Sequence, residues 1–182
     1  MRSTLRDIEL IDQIEALPTE PFTGDVFRLV RDGRDPTVCR HPEGRWDDGA
    51  FDVLYTATST AGALAEVRYH LSQQQPFSPD FLDYRMFRIP VSRLDVINLL
   101  DPALLTRLGV NLDVWGTSDY VSRHKEYLRT QEIAAVATFH EREGLLVPSA
   151  RSPDSNLVIL TQESVDAHCG EPEDLGLVDI RP

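Results

Sequence analysis

Three polar side chains stand in apolar surroundings. Arg28 interrupts the strand-like run Val26-Phe27-Arg28-Leu29-Val30, Glu66 lies between Ala65 and Val67, and Ser149 follows the apolar stretch Leu145-Leu146-Val147. A charge set against apolar neighbours costs stability unless it is paired or hydrogen-bonded. A buried Arg28–Glu66 ion pair would account for two of the three with no function attached. The other reading is a site. Tyr55 near the end of a strand and Glu66 one to two turns into the following helix can face one crevice, and open α/β sheets commonly bind ligands there.

A second feature is charge. The chain is acidic, with a net charge of −12, yet five arginines (28, 31, 34, 40 and 45) fall close together against only Asp32, Asp35 and Glu43. Such a segment suits a small anion such as a phosphate; a solvated surface with scattered ion pairs is the plainer alternative. The overall acidity argues against direct nucleic-acid binding. Phosphate loops of the GxxxxGK[ST] or GxGxxG kind do not occur, and Ser149 follows Pro148 rather than lying in GxSxG. Cys39 with His41 and His168 with Cys169 offer four ligand atoms, but without the tight spacing of a zinc site, so no metal is expected. Glu66 and His70, four apart, read as an ordinary helical surface pair.

The stretch that would position these groups is Val53–Leu71, VLYTATSTAGALAEVRYHL. Its β-branched and aromatic start fits a strand. Ser59 can cap a helix beginning at Thr60, and Leu64, Val67 and Leu71 then share one buried face. Before it, Leu5 to Leu17 reads as a short amphipathic helix and Val26–Val30 as a strand. The long loop from Arg31 to Gly49 is of a length that usually covers a site or moves. After it, Leu82 to Ile89 reads as a strand closed by Pro90, and Val96–Leu100 as a strand or an approach to a helix capped by Asp101 with Pro102 first. Ser118 to Glu143 is the longest helix, with a break expected near Thr130. Strands follow at Leu145–Val147 and Asn156–Leu160, and then an acidic, turn-rich tail with a last edge strand near Leu177–Ile180.

The length of 182 residues suits one α+β domain with a real core. Neither a membrane-length apolar run nor the apolar core of a signal peptide is visible, which leads to the expectation of a cytoplasmic protein with no membrane partner. Two cysteines are too few for a disulfide framework.

The ordered motifs Phe-Arg-Leu-Val at 27–30, Gly-Arg-Trp-Asp at 44–47, Val-Leu-Tyr-Thr-Ala at 53–57, Ala-Glu-Val-Arg at 65–68 and Gly-Leu-Leu-Val-Pro-Ser-Ala-Arg at 144–151, continued by Asn156-Leu157-Val158, resemble RES-domain proteins. The likeness runs from Phe22 to Leu160, with the first helix and the acidic tail peripheral to it. The family is named for an arginine, a glutamate and a serine; Glu66 and Ser149 match two, and Arg28 or Arg45 the first. After Gly-Arg-Trp the family often has asparagine, and here it is Asp47. The resemblance implies a central mixed β-sheet flanked by helices, like ADP-ribosyltransferases of the diphtheria-toxin kind. It also implies a toxin of a bacterial toxin–antitoxin pair that arrests growth, partnered by an Xre-like antitoxin that covers the site. The substrate would be NAD+, its ADP-ribose passing to a host protein, phosphate or water. A non-catalytic half of such a complex is the alternative. Arg28, Arg45, Tyr55, Glu66 and Ser149 should then converge. Glu66 would stabilise an oxocarbenium-like cation. Tyr55 would stack on nicotinamide, Arg28 and Arg45 would grip the pyrophosphate, and Ser149 would bond a ribose or phosphate. Trp46 is expected to be loop packing.

Overall fold

β1 (Glu20–Arg31) and β3 (Tyr84–Asn98) form the spine of the molecule, paired antiparallel from Glu20↔Val96 to Arg31↔Tyr84. This is a computed structural model, and it describes residues 7–73, 83–116 and 120–180. The expected starts of the first helix at Leu5, of a strand at Leu82 and of the long helix at Ser118, with most of the polar turn before Pro79, lie outside the described residues.

The other strands are β2 (Leu54–Ala57), β4 (Gly144–Pro148), β5 (Ser155–Ile159) and β6 (Glu173–Val178). Their order is β1-β2-β5-β4-β3-β6, and the β1–β3 pairing closes the first five into a ring with β6 on the outer edge of β3. Only β3 and β4 run parallel, so the sheet is mixed. Around it lie α1 (Ile8–Glu15), α2 (Thr60–Gln73), α3 (Pro102–Arg107), α4 (Tyr120–Phe139) and α5 (Gln162–His168). This is the α+β arrangement of a mixed sheet with flanking helices that the sequence implied.

Three apolar clusters hold it together. One packs Leu10 and Ile14 of α1 and Ile133, Ala134 and Ala137 of α4 on Leu145 and Val147. A second, with Val26, Leu54, Ile89, Leu94 and Leu157, fills the ring. The third lies under α2, where Leu64, Val67 and Leu71 meet Leu29 and Met86. The last confirms the helical face read from the sequence. Ser59 caps α2 as expected, accepting from Gly62 N at 2.9 Å, and its own hydroxyl donates to Asp154 Oδ2 at 2.6 Å. Asp101 likewise accepts from Ala103 N at 2.9 Å, with Pro102 opening α3.

Several expectations fail. β3 does not stop at Pro90 but runs on to Asn98. The N–H and C=O of a strand residue point the same way, and the Pro90 carbonyl accepts from Gly170 N at 2.8 Å, away from β1. The missing N–H therefore faces a stretch of edge between the β6 and β4 pairings, where a proline costs the ladder little. α4 is not broken at Thr130. The hydroxyl of this buried residue donates to Arg45 O at 2.6 Å and Tyr127 O at 3.0 Å, so it ties the helix to the 44–47 loop. The acidic tail contains a helix, α5, capped by Thr161, whose hydroxyl accepts from Ser164 N at 3.0 Å. The last strand begins at Glu173, earlier than expected, where β6 pairs with Arg88 of β3.

Candidate active site

A cavity of about 630 Å³ opens between the end of β2, the flank of α2 and the 40–46 segment. That is within the range of pockets that take small molecules. Arg28, Arg45, Tyr55 and Glu66 all line it, and Ser149 reaches it through Glu66. The five residues singled out in the sequence are therefore brought together, but they are engaged very differently.

Glu66 projects from α2 and is half-buried. Its Oε1 accepts from Ser149 Oγ at 2.9 Å and from Asn156 Nδ2 at 3.0 Å. No hydrogen bond reaches Oε2 among the described residues. Ser149 is itself set by two amides, Arg151 N at 3.0 Å and Ser152 N at 3.2 Å, which donate to its hydroxyl oxygen. With those lone pairs taken, its proton is directed at Glu66. The turn after β4 thus aims the serine, and the paired β5 supplies Asn156 opposite Val147. The Asn156 amide must present nitrogen to Glu66, since its oxygen there would repel the carboxylate. That leaves Asn156 Oδ1 buried with no partner.

Arg28 does not pair with Glu66. Its Nη1 donates to Pro36 O at 2.7 Å and Val38 O at 3.2 Å, both in the long loop. The ion pair that would have explained both residues structurally is not formed among the described residues. Burial lowers the Arg28 pKa to about 10, with the like charge of Arg40 adding to the effect.

Arg45 reaches the cavity but is not free to grip a ligand with its whole fork. Nη1 is bound to the carboxylate of Glu126 on α4, and the guanidinium lies 4.1 Å from the Trp115 ring centre and 4.7 Å from that of Tyr127. Nη2 is buried without a partner, and no hydrogen bond reaches Nε among the described residues. Glu126 also accepts from Gly116 N at 2.7 Å, so one buried carboxylate fastens both the arginine and the chain after Trp115.

Tyr55 lines the cavity with its ring, while its hydroxyl is part of the scaffold. It donates to Asp47 Oδ2 at 2.9 Å and accepts from Trp46 N at 2.8 Å. Burial first, and the Asp47 charge beside it, push the phenol well above its ordinary value. Its proton is committed to Asp47. Asp47 is fully buried and also accepts from Glu43 N at 2.9 Å, Gly44 N at 2.8 Å and Gly49 N at 3.2 Å. A carboxylate, which only accepts, suits this set better than an amide with two protons of its own. Gly44 is needed there, since a Cβ would come within 2.9 Å of the Tyr55 hydroxyl. Gln131 of α4 closes the loop from outside by donating to Gly44 O at 2.7 Å and Asp47 O at 3.0 Å. Trp46 is buried and leans on Trp115 at 6.3 Å, and it also borders the cavity.

Asn156, Asp47 and Glu126 were not among the sequence candidates. Asn156 and Asp47 lay within matched motifs, whereas Glu126 carries no local signal. The two cysteine–histidine pairs have other partners: His41 Nε2 lies 3.1 Å from Asp52, and His168 Nε2 3.0 Å from Glu143. No three metal-ligating side chains gather among the described residues. Nor is any described helix long and apolar enough to cross a membrane.

A family model described as RES domain matches residues 20–177. A search of curated proteins gives no match. Among solved structures, the chain is similar to one in the crystal structure of the M. tuberculosis MbcT–MbcA toxin–antitoxin complex, with a TM-score of 0.75, 22% identity and 93% of each chain covered.

Proposed function

The chain belongs to the RES-domain family, and from that premise we propose that it is the toxin of a toxin–antitoxin pair and an enzyme that consumes NAD+. The observation that carries this reading is the state of Glu66, a carboxylate at the wall of a cavity with one oxygen fixed by Ser149 and Asn156 and the other unengaged.

The chemistry asks for such a group. When the bond between the ribose C1′ and the nicotinamide nitrogen breaks, its electron pair goes to the ring, which leaves neutral without needing a general acid. Positive charge is left on C1′ and the ribose oxygen, as in glycoside hydrolysis. A carboxylate held in place before the reaction stabilises that charge with little reorganisation. Ser149 and Asn156 keep it from turning away, so they act as positioning residues. Tyr55 offers a ring wall for nicotinamide. Arg28, fixed by two carbonyls and free of acidic partners among the described residues, is the better placed of the two arginines for the pyrophosphate, and Arg45 contributes at most the nitrogens that Glu126 leaves unbound. An acceptor oxygen or side chain then attacks C1′ and gives up its proton. The acceptor is a host protein, phosphate or water.

An antitoxin partner follows from the same reading, since a toxin of this kind must be held inactive; the similar structure, itself part of a toxin–antitoxin complex, supports it. Purified protein incubated with NAD+, with phosphate, without it and with cell lysate as acceptor, should release nicotinamide in at least one condition. If none appears in any of the three, the enzyme reading is lost. Co-expression with the neighbouring reading frame should relieve growth arrest and yield a co-purifying complex.

A further inference from the structure

Arg151 lines the same cavity as Glu66, and its side chain is held by a ring and a carbonyl. The guanidinium carbon lies 3.3 Å from the centre of the Tyr69 ring, and Nη1 donates to Gly116 O at 2.6 Å. Tyr69 stands on α2 three residues after Glu66, which makes the two neighbours on one helical face. The Gly116 peptide is gripped from both sides, since its N–H goes to Glu126 Oε1 at 2.7 Å. Glycine is required there by a φ of +78° and by close approach, because a Cβ would come within 3.0 Å of Ala150 O. The backbone of Arg151 meanwhile donates to Ser149 Oγ at 3.0 Å. One residue thus touches the serine through its main chain and the helix that carries Glu66 through its side chain.

The bond from Ser149 to Glu66 joins a turn to a helix, and it keeps its geometry only if the two are fixed to each other. The turn itself has little to fix it, for none of Ala150, Arg151, Ser152 and Pro153 is fully buried. A guanidinium over an aromatic face is attracted by the ring, and its planar fork still has N–H groups to give a carbonyl. We propose that Arg151 is a positioning residue for the reaction: stacked on Tyr69 and bonded to Gly116, it fixes the Ser149 turn against α2 and so keeps the Glu66 carboxylate aimed at the ribose. The kinetic side of this inference rests on the enzyme reading given above; the anchoring of the turn does not.

The test follows nicotinamide release and amide hydrogen exchange in Arg151→Ala, Tyr69→Ala, the double variant and Tyr69→Phe. Each alanine variant should lower kcat by about tenfold with KM changed less. The double variant should be little worse than either single one, because both remove the same contact. Tyr69→Phe keeps the ring and should recover most of the turnover lost in Tyr69→Ala. The Ser152 amide, which also donates to Ser149 Oγ, should exchange about tenfold faster in Tyr69→Ala and return to the wild-type rate in Tyr69→Phe, while the β5 amides stay slow. Faster exchange with kcat unchanged would leave Arg151 a packing role only and overturns the proposal. So do losses that multiply in the double variant, unchanged exchange at Ser152, or an effect confined to KM, which would make Arg151 a substrate ligand. If Arg151→Ala does not fold, the two Tyr69 variants carry the comparison. If the wild type releases no nicotinamide, the enzyme reading falls, and the exchange rates decide the anchoring of the turn by themselves.

Discussion

Asp47 lies behind one wall of the cavity and Glu66 in the other, and the two carboxylates are built in opposite ways. Asp47 is fully enclosed and takes hydrogen bonds from three amides and one phenol. Glu66 is half-open and takes two, both on one oxygen. The arginines divide along the same line. Arg45 is clamped to Glu126 between aromatic rings, and Arg28 has carbonyl partners only. One wall is saturated apart from Arg45 Nη2 and holds its shape. The other keeps polar atoms in reserve: Glu66 Oε2, Asn156 Oδ1 and the remaining nitrogens of Arg28. Burying groups short of partners weakens a fold, so this arrangement is expected where a ligand completes it.

If that division holds, substitutions in the two walls should separate activity from stability. Glu66→Gln keeps the size and a hydrogen-bonding oxygen but removes the charge. It should lower nicotinamide release by about a thousandfold or more while the melting temperature stays nearly unchanged. A variant that unfolds readily instead would make Glu66 a structural residue like Asp47.

Glu126→Ala is the opposite case. It leaves the Arg45 guanidinium buried beside Trp115 and Tyr127 with no counter-charge, and unfolding in urea should show a loss of about 3–5 kcal/mol. Asp47→Ala, which orphans several buried donors at once, should cost about 3 kcal/mol or more. Folded fractions of either variant should keep measurable turnover. Unchanged stability with lost turnover would place Arg45 or Asp47 in the chemistry.

Asn156→Ala comes next. Glu66 keeps its bond from Ser149 but gains a degree of rotation, and turnover should fall about tenfold with KM changed less than kcat if Asn156 only positions the carboxylate. A larger rise in KM would show that its unpartnered oxygen binds the substrate directly.

The strand and helix that carry Glu66 are legible in the sequence because they are local elements. The spacing of Leu64, Val67 and Leu71 and the cap at Ser59 specify a strand entering a helix, and Glu66 is carried along with them. The partners of the other wall are not legible there, because wiring between distant segments leaves no periodic trace. Arg45 has the residue type of a phosphate ligand, and its partner Glu126 lies on a helix far along the chain. Tyr55 reads as an aromatic platform, and no spacing foretells that its hydroxyl ties Trp46 to Asp47. The same limit explains Pro90, which reads as a strand end unless one knows which edge its missing N–H faces. In α5 the apolar pattern is thin, with Val165 the buried apolar residue in seven positions, so acidic composition obscured the helix.

The smallest expected effect is also the most specific to the saturated wall. Tyr55→Phe keeps the ring that lines the cavity and removes only the hydroxyl joining Trp46 N to Asp47. Turnover should stay within a few-fold of the wild type, and stability near neutral pH should drop by about 1–2 kcal/mol. The pH dependence supplies the check. In the folded chain the phenol is held well above its ordinary value, whereas in the unfolded chain it ionises near 10. A group whose folded pKa is raised contributes stability that is complete below the unfolded value and is lost as pH rises beyond it. The thiols of buried Cys39 and half-buried Cys169, pushed up to about 12 and about 11 by desolvation, weaken the fold over a similar alkaline range. They are common to both proteins and cancel in the difference. The stability gap between wild type and Tyr55→Phe should therefore be constant from pH 7 to 9 and shrink above about 10. A gap that persists or widens in alkali would mean that the Tyr55 hydroxyl reaches solvent, and the saturated wall would be open after all.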